Sequence, residues 1–135
     1  MKLDFIDAFI TNHAFSGNPA AVVQHDTSIS VELMQSIAAQ HNLSETAFIM
    51  PIAGMPDHFH IRWFTPTVEV DLCGHATLAA AYAVFMQSDI RQVIFHTQKH
   101  GNLPVVLRPE GLCMDFPVQP QRRMDNVPLQ LLKCI

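Results

Sequence analysis

The chain has 135 residues, 49% of them hydrophobic and 15% charged, and its net charge is −4 with histidine neutral. This length suits about one domain with a sizeable core, and the absence of a basic patch argues against nucleic acid as a partner. The three widely spaced cysteines argue against a disulfide framework. The apolar N-terminus is interrupted by acidic residues, so it does not resemble a signal peptide, and no run reaches the ~18 apolar residues that a membrane span needs. We therefore expect a cytoplasmic protein without a membrane partner.

Apolar periodicity and turn residues predict a series of strands interrupted by two helices. The first helix follows N-cap candidates at 26–30 and carries its apolar residues at helical spacing. The second helix is apolar on every face, so we expect it to be buried all round. In chain order the predicted elements are strands at 2–10 and 20–24, a helix at 31–41, strands at 44–50, 58–65 and 68–71, a helix at 75–86, and strands at 92–97, 103–107 and 112–116.

The strand at 58–65 alternates clearly, with one side polar and the other apolar. His58, His60 and Arg62 fall on the polar side. Two histidines on one strand face are a weak indication of metal binding and are more typical of a solvated face. Before this strand, Met55-Pro56-Asp57 is predicted to form the turn.

The composition of the sequence changes at Pro117. Proline, glutamine and arginine from there on predict a connector that leads into a short helix at 128–135. We therefore divide the chain into a half-domain at 1–116 and a crossover segment at 117–135. The fold class is predicted as α+β, with a mixed, mostly antiparallel sheet wrapped around a buried central helix.

The segment Cys73-Gly74-His75 at the entrance of the second helix is the first chemical feature. The first turn of a helix presents unpaired N–H groups and the positive end of the dipole, which together favour an anion. The same dipole is expected to favour the Cys73 thiolate, as a nucleophile or base. The alternative is that Cys73 is a small buried hydrophobe.

Glu45 is the second feature, because it falls where the first helix gives way to a strand and could transfer protons from there. Its alternative is a carboxylate that faces water or caps the backbone. Gly17 and Asn18 form a compact turn that could approach a ligand closely. No metal site is supported, because the histidines and cysteines do not fall into pairs with plausible ligand spacing.

Several segments together resemble the phenazine-biosynthesis isomerase-like (PhzF-like) family, in order from the start of the chain to about Phe116. They are Asp7-Ala8-Phe9, residues 15–23, Asn42-Leu43-Ser44-Glu45-Thr46-Ala47-Phe48, residues 61–66, Glu69-Val70 and residues 72–79. The resemblance implies a fold like diaminopimelate epimerase, in which two similar halves each wrap a sheet around a central helix and enclose the active site between them. We expect this chain to correspond to the first half.

The resemblance also implies site residues and a cofactor-free mechanism. The proton-shuttling glutamate of the family falls on Glu45 and its histidine on His75, with Gly17, Asn18, Cys73, Gly74 and Ala76 as substrate-binding candidates. Glu45 would move a proton on a small carboxylate-bearing substrate held at the helix N-terminus. An aspartate and a small hydroxyl or glycine segment belong to the second half of the family fold, so we expect pairing with such a half or with another copy.

Two other interpretations stay open at this point. Cys-Gly-His also resembles the thiol motif of cofactor-independent amino-acid racemases and epimerases, in which Cys73 would be one of two thiols. The chain could also be a non-catalytic, self-associating half-domain.

Overall fold

A computed structural model describes residues 1–13 and 16–118 of the chain. Within these ranges it contains two helices, α1 (Val31–His41) and α2 (Gly74–Phe85), and eight strands. The strands are β1 (Lys2–Ala8), β2 (Asn18–Gln24), β3 (Glu45–Ile52), β4 (Met55–Phe64), β5 (Glu69–Val70), β6 (Gln92–His96), β7 (Asn102–Arg108) and β8 (Gly111–Met114). The predicted connector lies outside these ranges beyond residue 118, as does the helix predicted at 128–135.

All the described strands join one mixed sheet in the order β1-β2-β3-β4-β6-β7-β8, with β5 added beside β4. The pairs β2–β3 and β4–β6 are parallel, and the other pairs are antiparallel. Helix α2 contacts β1, β2 and β3 and also β7 and β8. Seven strands laid flat would span about 29 Å, whereas a helix is only about 10–12 Å wide. The sheet must therefore curl into a half-barrel around α2.

The two faces of the sheet carry separate cores. The concave face packs against α2, and alternate strand residues such as Ile61 and Trp63 of β4 supply it. On the convex face, Phe48 and Phe64 pack against Met34 and Ala38 of α1. The predicted alternation of β4 is therefore confirmed, since its apolar side faces a helix.

Helix α1 forms where its caps predict it. The Ser30 side chain accepts a hydrogen bond from the Leu33 N–H at 3.2 Å, which satisfies one of the unpaired donors of the first turn. Asn42 ends the helix in the left-handed conformation, and its N–H donates to the Ala38 carbonyl. This C-cap turns the chain towards the start of β3, three residues later.

Helix α2 differs from the sequence prediction on one side. Eight of its residues are buried, but Leu78 is half-buried and Tyr82 is 46% exposed. These two residues lie one turn apart on the same stripe. The half-barrel is open along this stripe, so the expectation of a helix buried on every face is wrong for the described residues.

Several element boundaries also differ from the prediction, and two of them have a clear cause in the backbone conformation. Strand β1 ends at Ala8 rather than residue 10, because Phe9 adopts a left-handed backbone with φ 59°. The hairpin between β3 and β4 turns at Ala53-Gly54, where Gly54 has φ +78°. The turn predicted at Met55-Pro56-Asp57 is therefore wrong, because the chain reverses two residues earlier and β4 begins at Met55.

An apolar groove of about 650 Å³ opens between β1 and the β7–β8 hairpin. Phe5, Phe9, Ile10 and Tyr82 line it and are exposed. The groove is the gap left by the open side of the half-barrel. In the described part of the chain, neither helix is long and apolar enough to cross a membrane.

We predict that Gly17→Ala lowers the free energy of unfolding by about 1–3 kcal/mol. Gly17 has φ +106°, and a Cβ there would lie 3.1 Å from the Ala8 carbonyl oxygen and 3.3 Å from the Asp7 Cβ. Gly54→Ala is the matched control, because Gly54 also has a positive φ but a Cβ there meets no atom within 4 Å. Urea unfolding should give the larger loss for Gly17→Ala, and equal losses would contradict a steric role for the Ala8 contact.

Candidate active site

Glu45 is the first residue of β3 and lies on its concave side. Residues two apart in a strand face the same way, so Glu45 shares a face with the buried Ala47 and Ile49, which pack into the α2 core. The strand therefore directs the carboxylate towards α2. Its side chain keeps 21% of its surface exposed, which leaves it accessible at the edge of the core.

The first turn of α2 brings Cys73 and His75 to the same place. Cys73 is the N-cap residue in extended conformation. The Thr77 hydroxyl donates to the Cys73 carbonyl at 2.6 Å, and the Thr77 N–H reaches the same oxygen at 3.3 Å. These contacts fix the turn, and His75 is held with only 7% of its surface exposed.

The His75 ring lies between a sulfur and a carboxylate. Its Nδ1 is 3.4 Å from the Cys73 Sγ, and its Nε2 is 3.4 Å from the Glu45 Oε2. The second contact lacks hydrogen-bond alignment, so Nε2 is a buried polar atom without a hydrogen-bond partner among the described residues. Such atoms are uncommon in folded proteins and mark a place where a ligand group can be accommodated.

Burial raises the pKa of the Cys73 thiol to about 11, and the negative charge of Glu45 adds to the increase. The backbone N–H groups of Ala76 and His75 oppose it, but the net direction is upward. The expectation that the helix dipole favours the Cys73 thiolate is therefore wrong. At neutral pH the thiol is protonated and serves as a weak hydrogen-bond donor.

A protonated thiol next to Nδ1 determines which nitrogen of the neutral His75 ring carries hydrogen. Since Nδ1 accepts from the Cys73 thiol, Nε2 must carry the N–H group. This tautomer points a donor towards Glu45 and the opening of the site. The arrangement is thus a chain of thiol, imidazole and carboxylate.

The same three side chains could be considered as metal ligands, because their ligand atoms lie within 4.8 Å of one another. The ring, however, presents different nitrogens to Cys73 and to Glu45. One ion cannot bind both sides of an imidazole, since each M–N bond is about 2.0–2.1 Å long. In their closest contacts with the ring, Cys73 and Glu45 therefore lie on opposite nitrogens.

The other predicted binding residues take different positions. The Asn18 Oδ1 accepts a hydrogen bond of 3.1 Å from the Ser44 hydroxyl, which places Asn18 beside the residue preceding Glu45. Gly17 is exposed in the tight turn before it. Ala76 has a completely buried side chain, so only its backbone N–H remains for a ligand contact.

Gly74 does not need the conformational freedom of glycine, since its φ is not in the positive region. A Cβ at this position would contact the Phe116 ring at 3.5 Å, an ordinary van der Waals distance. An alanine would therefore fit at this position without displacing the ring.

Thr77 and Ser44 support the site without lying in it, and neither is among the site residues predicted from the sequence. A threonine four residues after a helix N-cap is a detectable signal, because its hydroxyl can reach the carbonyl one turn back. Ser44 carried no comparable signal. Its partner, Asn18, is 26 residues away and is brought close only by the parallel pairing of β2 with β3.

Comparison with known proteins gives consistent matches. The model of the PhzC-PhzF family, described as phenazine biosynthesis-like protein, matches residues 6–129. An uncharacterized isomerase of Pseudomonas aeruginosa is 47% identical over 122 residues, which cover 88% of this chain and 45% of the relative. The crystal structure of a PhzF-family phenazine biosynthesis protein of Enterococcus faecalis has a TM-score of 0.79 and 37% identity, over 96% of this chain and 49% of that chain.

A more distant neighbour shares the fold alone. The structure of a predicted epimerase from Pseudomonas aeruginosa has a TM-score of 0.68 at 23% identity, over 82% of this chain and 40% of that chain. The chain spans about half the length of the curated relatives that it matches.

We predict that Cys73 reacts with iodoacetamide only at high pH, with a midpoint near the pKa of about 11. The exposed Cys113, which the reagent can reach in the folded chain, is the internal reference. Removing the nearby charge with Glu45→Gln should lower the midpoint for Cys73, whereas Glu69→Gln, whose partner is Arg62, should not. Peptide mass spectrometry measures both sites, and rapid alkylation of Cys73 at pH 7 would contradict the assignment of a protonated thiol.

Proposed function

The chain belongs to the phenazine biosynthesis-like PhzC-PhzF family, and we propose that it supplies one half of a cofactor-independent isomerase that acts on a small carboxylate-bearing substrate. In this proposal Glu45 and His75 are the catalytic residues. The observation that carries the proposal is the buried, unpartnered His75 Nε2 beside the Glu45 carboxylate at the mouth of α2.

Glu45 is the general base and acid in this proposal. It removes a proton from a carbon next to an unsaturated or carboxylate-bearing group and returns the proton to another carbon. Its position supports this role, because the carboxylate is anchored on a buried strand while part of it stays accessible. Proton transfer by one positioned side chain needs no cofactor.

His75 orients the substrate and the base relative to each other in this proposal. With hydrogen on Nε2, the ring donates to a substrate oxygen or to Glu45 as the reaction demands. The Cys73 thiol on the opposite nitrogen keeps this tautomer in place. Cys73 is then a positioning residue, and its high pKa is suited to that role.

The N-terminus of α2 is the proposed site of the substrate carboxylate. The N–H groups of the first turn have no partner within the helix, and the dipole favours negative charge there. The N–H groups of Gly74 and Ala76 are the proposed donors, with Gly17 and Asn18 along the rim through the Ser44 contact.

The described residues border the site on one side only, because Glu45 lies at the edge of the half-barrel. The chain spans about half the length of its curated relatives. We therefore propose that a second half, or another copy of the chain, closes the site. The apolar groove beside β1 provides a further surface for such pairing.

The racemase interpretation, with Cys73 as the proton carrier, receives less support. A thiol base must ionise near neutral pH, whereas burial raises the pKa of Cys73 to about 11. The protonated thiol favours Glu45 as the group that moves protons.

We predict that the chain, supplied with the C-terminal half of the Pseudomonas aeruginosa relative, incorporates deuterium from D2O into an unsaturated carboxylic acid. Glu45→Gln should reduce the rate at least about 100-fold, because general acid–base catalysis contributes about 10²–10⁴-fold. Cys73→Ser should retain most of the rate, since serine still donates to His75. Mass spectrometry of the acid measures the exchange.

The outcomes separate the two enzyme interpretations. Glu69→Gln is the charge-matched control, because Glu69 pairs with Arg62 away from the site. A rate that depends on Cys73 but not on Glu45 would favour the racemase, and a wild-type protein without exchange would contradict carbon-acid chemistry here.

We also predict that the 135-residue chain self-associates at tens of micromolar, because the groove exposes apolar side chains that water disfavours. Phe9→Asn should weaken the association, since it removes a ring that is 65% exposed while asparagine tolerates the left-handed backbone at this position. Val68→Asn, at an exposed apolar residue away from the groove, is the control. Sedimentation velocity measures the species, and a monodisperse wild-type monomer would count against the prediction.

A further inference from the structure

Three histidines gather on the convex face of the sheet, opposite the face that carries Glu45. His58 and His60 occupy alternate positions of β4, and His96 lies on the neighbouring parallel strand β6, paired with His60. Alternate strand residues and directly paired residues share a face. The neighbours Phe59 and Phe95 point to the other side, into or against the α2 core.

His96 stands between the other two rings. Its Nε2 lies 2.7 Å from the His58 Nδ1, and the two ring centroids are 5.0 Å apart with a 34° angle between the planes. The His60 and His96 centroids are 6.2 Å apart. At 2.7 Å one nitrogen donates hydrogen to the lone pair of the other, so both nitrogens are directed at one point.

We propose that His58, His60 and His96 form a binding site for a divalent transition-metal ion of the Zn²⁺, Cu²⁺ or Ni²⁺ class. Imidazole nitrogen suits these ions. Three histidine ligands with one position left for water are an established arrangement for zinc. The site does not depend on the proposed isomerase function, because it lies on the opposite face of the sheet.

The change required to admit an ion is small. Two nitrogens bound at about 2.0–2.1 Å in tetrahedral geometry lie about 3.3 Å apart, so the His58–His96 pair must open by roughly 0.6 Å from its 2.7 Å. The ion takes the place of the shared hydrogen. His60 is exposed and can rotate towards it as the third ligand.

The surroundings support the proposal in two ways. The Asp57 Oδ1 lies 3.8 Å from the His58 Nε2, the ring nitrogen that faces away from His96. Metal-binding histidines usually pair that second nitrogen with a carboxylate or carbonyl. The cationic neighbour on this face, Arg62, is engaged in two 2.7 Å contacts with Glu69, so its charge is compensated.

Titration calorimetry of the tag-free chain with Zn²⁺ tests the site. We expect one ion per chain with a dissociation constant of micromolar or below. His96→Asn should weaken binding at least 100-fold and His60→Asn about tenfold. His41→Asn, outside the cluster, and Cys73→Ser, in the Glu45–Cys73–His75 cluster, should leave the affinity unchanged.

A second measurement uses only the wild-type chain, so its result does not depend on whether the variants fold. In nitrogen-detected NMR, Zn²⁺ should shift the imidazole signals of His58, His60 and His96 and leave those of His75 in place. Wild-type binding weaker than 100 μM would overturn the proposal. So would a loss of affinity in Cys73→Ser, or shifts centred on His75, because either would place the ion in the other cluster.

Discussion

The close approach of α2 to the concave face of the sheet is the constraint on which the rest of the structure depends. Alanine makes it possible, because both partners present methyl groups where they meet. In this core the buried alanines are Ala20 and Ala47 on the sheet and Ala76, Ala79, Ala80, Ala81 and Ala83 on the helix. Larger side chains, such as Trp63 and Phe95, fill the wider part of the half-barrel. The helix is thereby held with its first turn against the start of β3.

This packing explains why residues 30 positions apart form one site. Glu45 begins β3 and His75 lies in the first turn of α2, so the distance between them is decided by how deeply the helix sits in the sheet. The convex face is built separately around α1, which leaves the far end of β4 and β6 free to carry histidines. The sheet thus supports two chemically different clusters, one on each side.

Much of the secondary structure could be predicted because local patterns determine it. Ser30 and the apolar spacing fixed the range of α1, and the alternation in β4 identified its buried side. The element boundaries that were predicted wrongly depend on backbone conformation, as with the left-handed Phe9 and the turn at Gly54. The exposure of Tyr82 could not be inferred from the helix sequence, because it depends on where the curled sheet leaves an opening.

The candidate site was predictable from the resemblance of its motifs but not from the spacing of its residues. No local pattern links Glu45 to His75, and only the tertiary fold brings them within 3.4 Å. The error concerning Cys73 has the same origin. The helix dipole is visible in the sequence, whereas the burial of the thiol and its proximity to Glu45 come from distant parts of the chain and outweigh it.

The double contact of Thr77 with the Cys73 carbonyl has a consequence for how a ligand meets this site. The two hydrogen bonds fix the conformation of the N-cap, so the N–H groups of the first turn already have their final directions before a ligand binds. The site is preorganised, and an anion that enters it has no loop to order and no backbone dipole to reorient. In the proposed function, the selectivity of this side of the site then comes from its shape and charge alone, and adaptability comes from the second half that is proposed to close it.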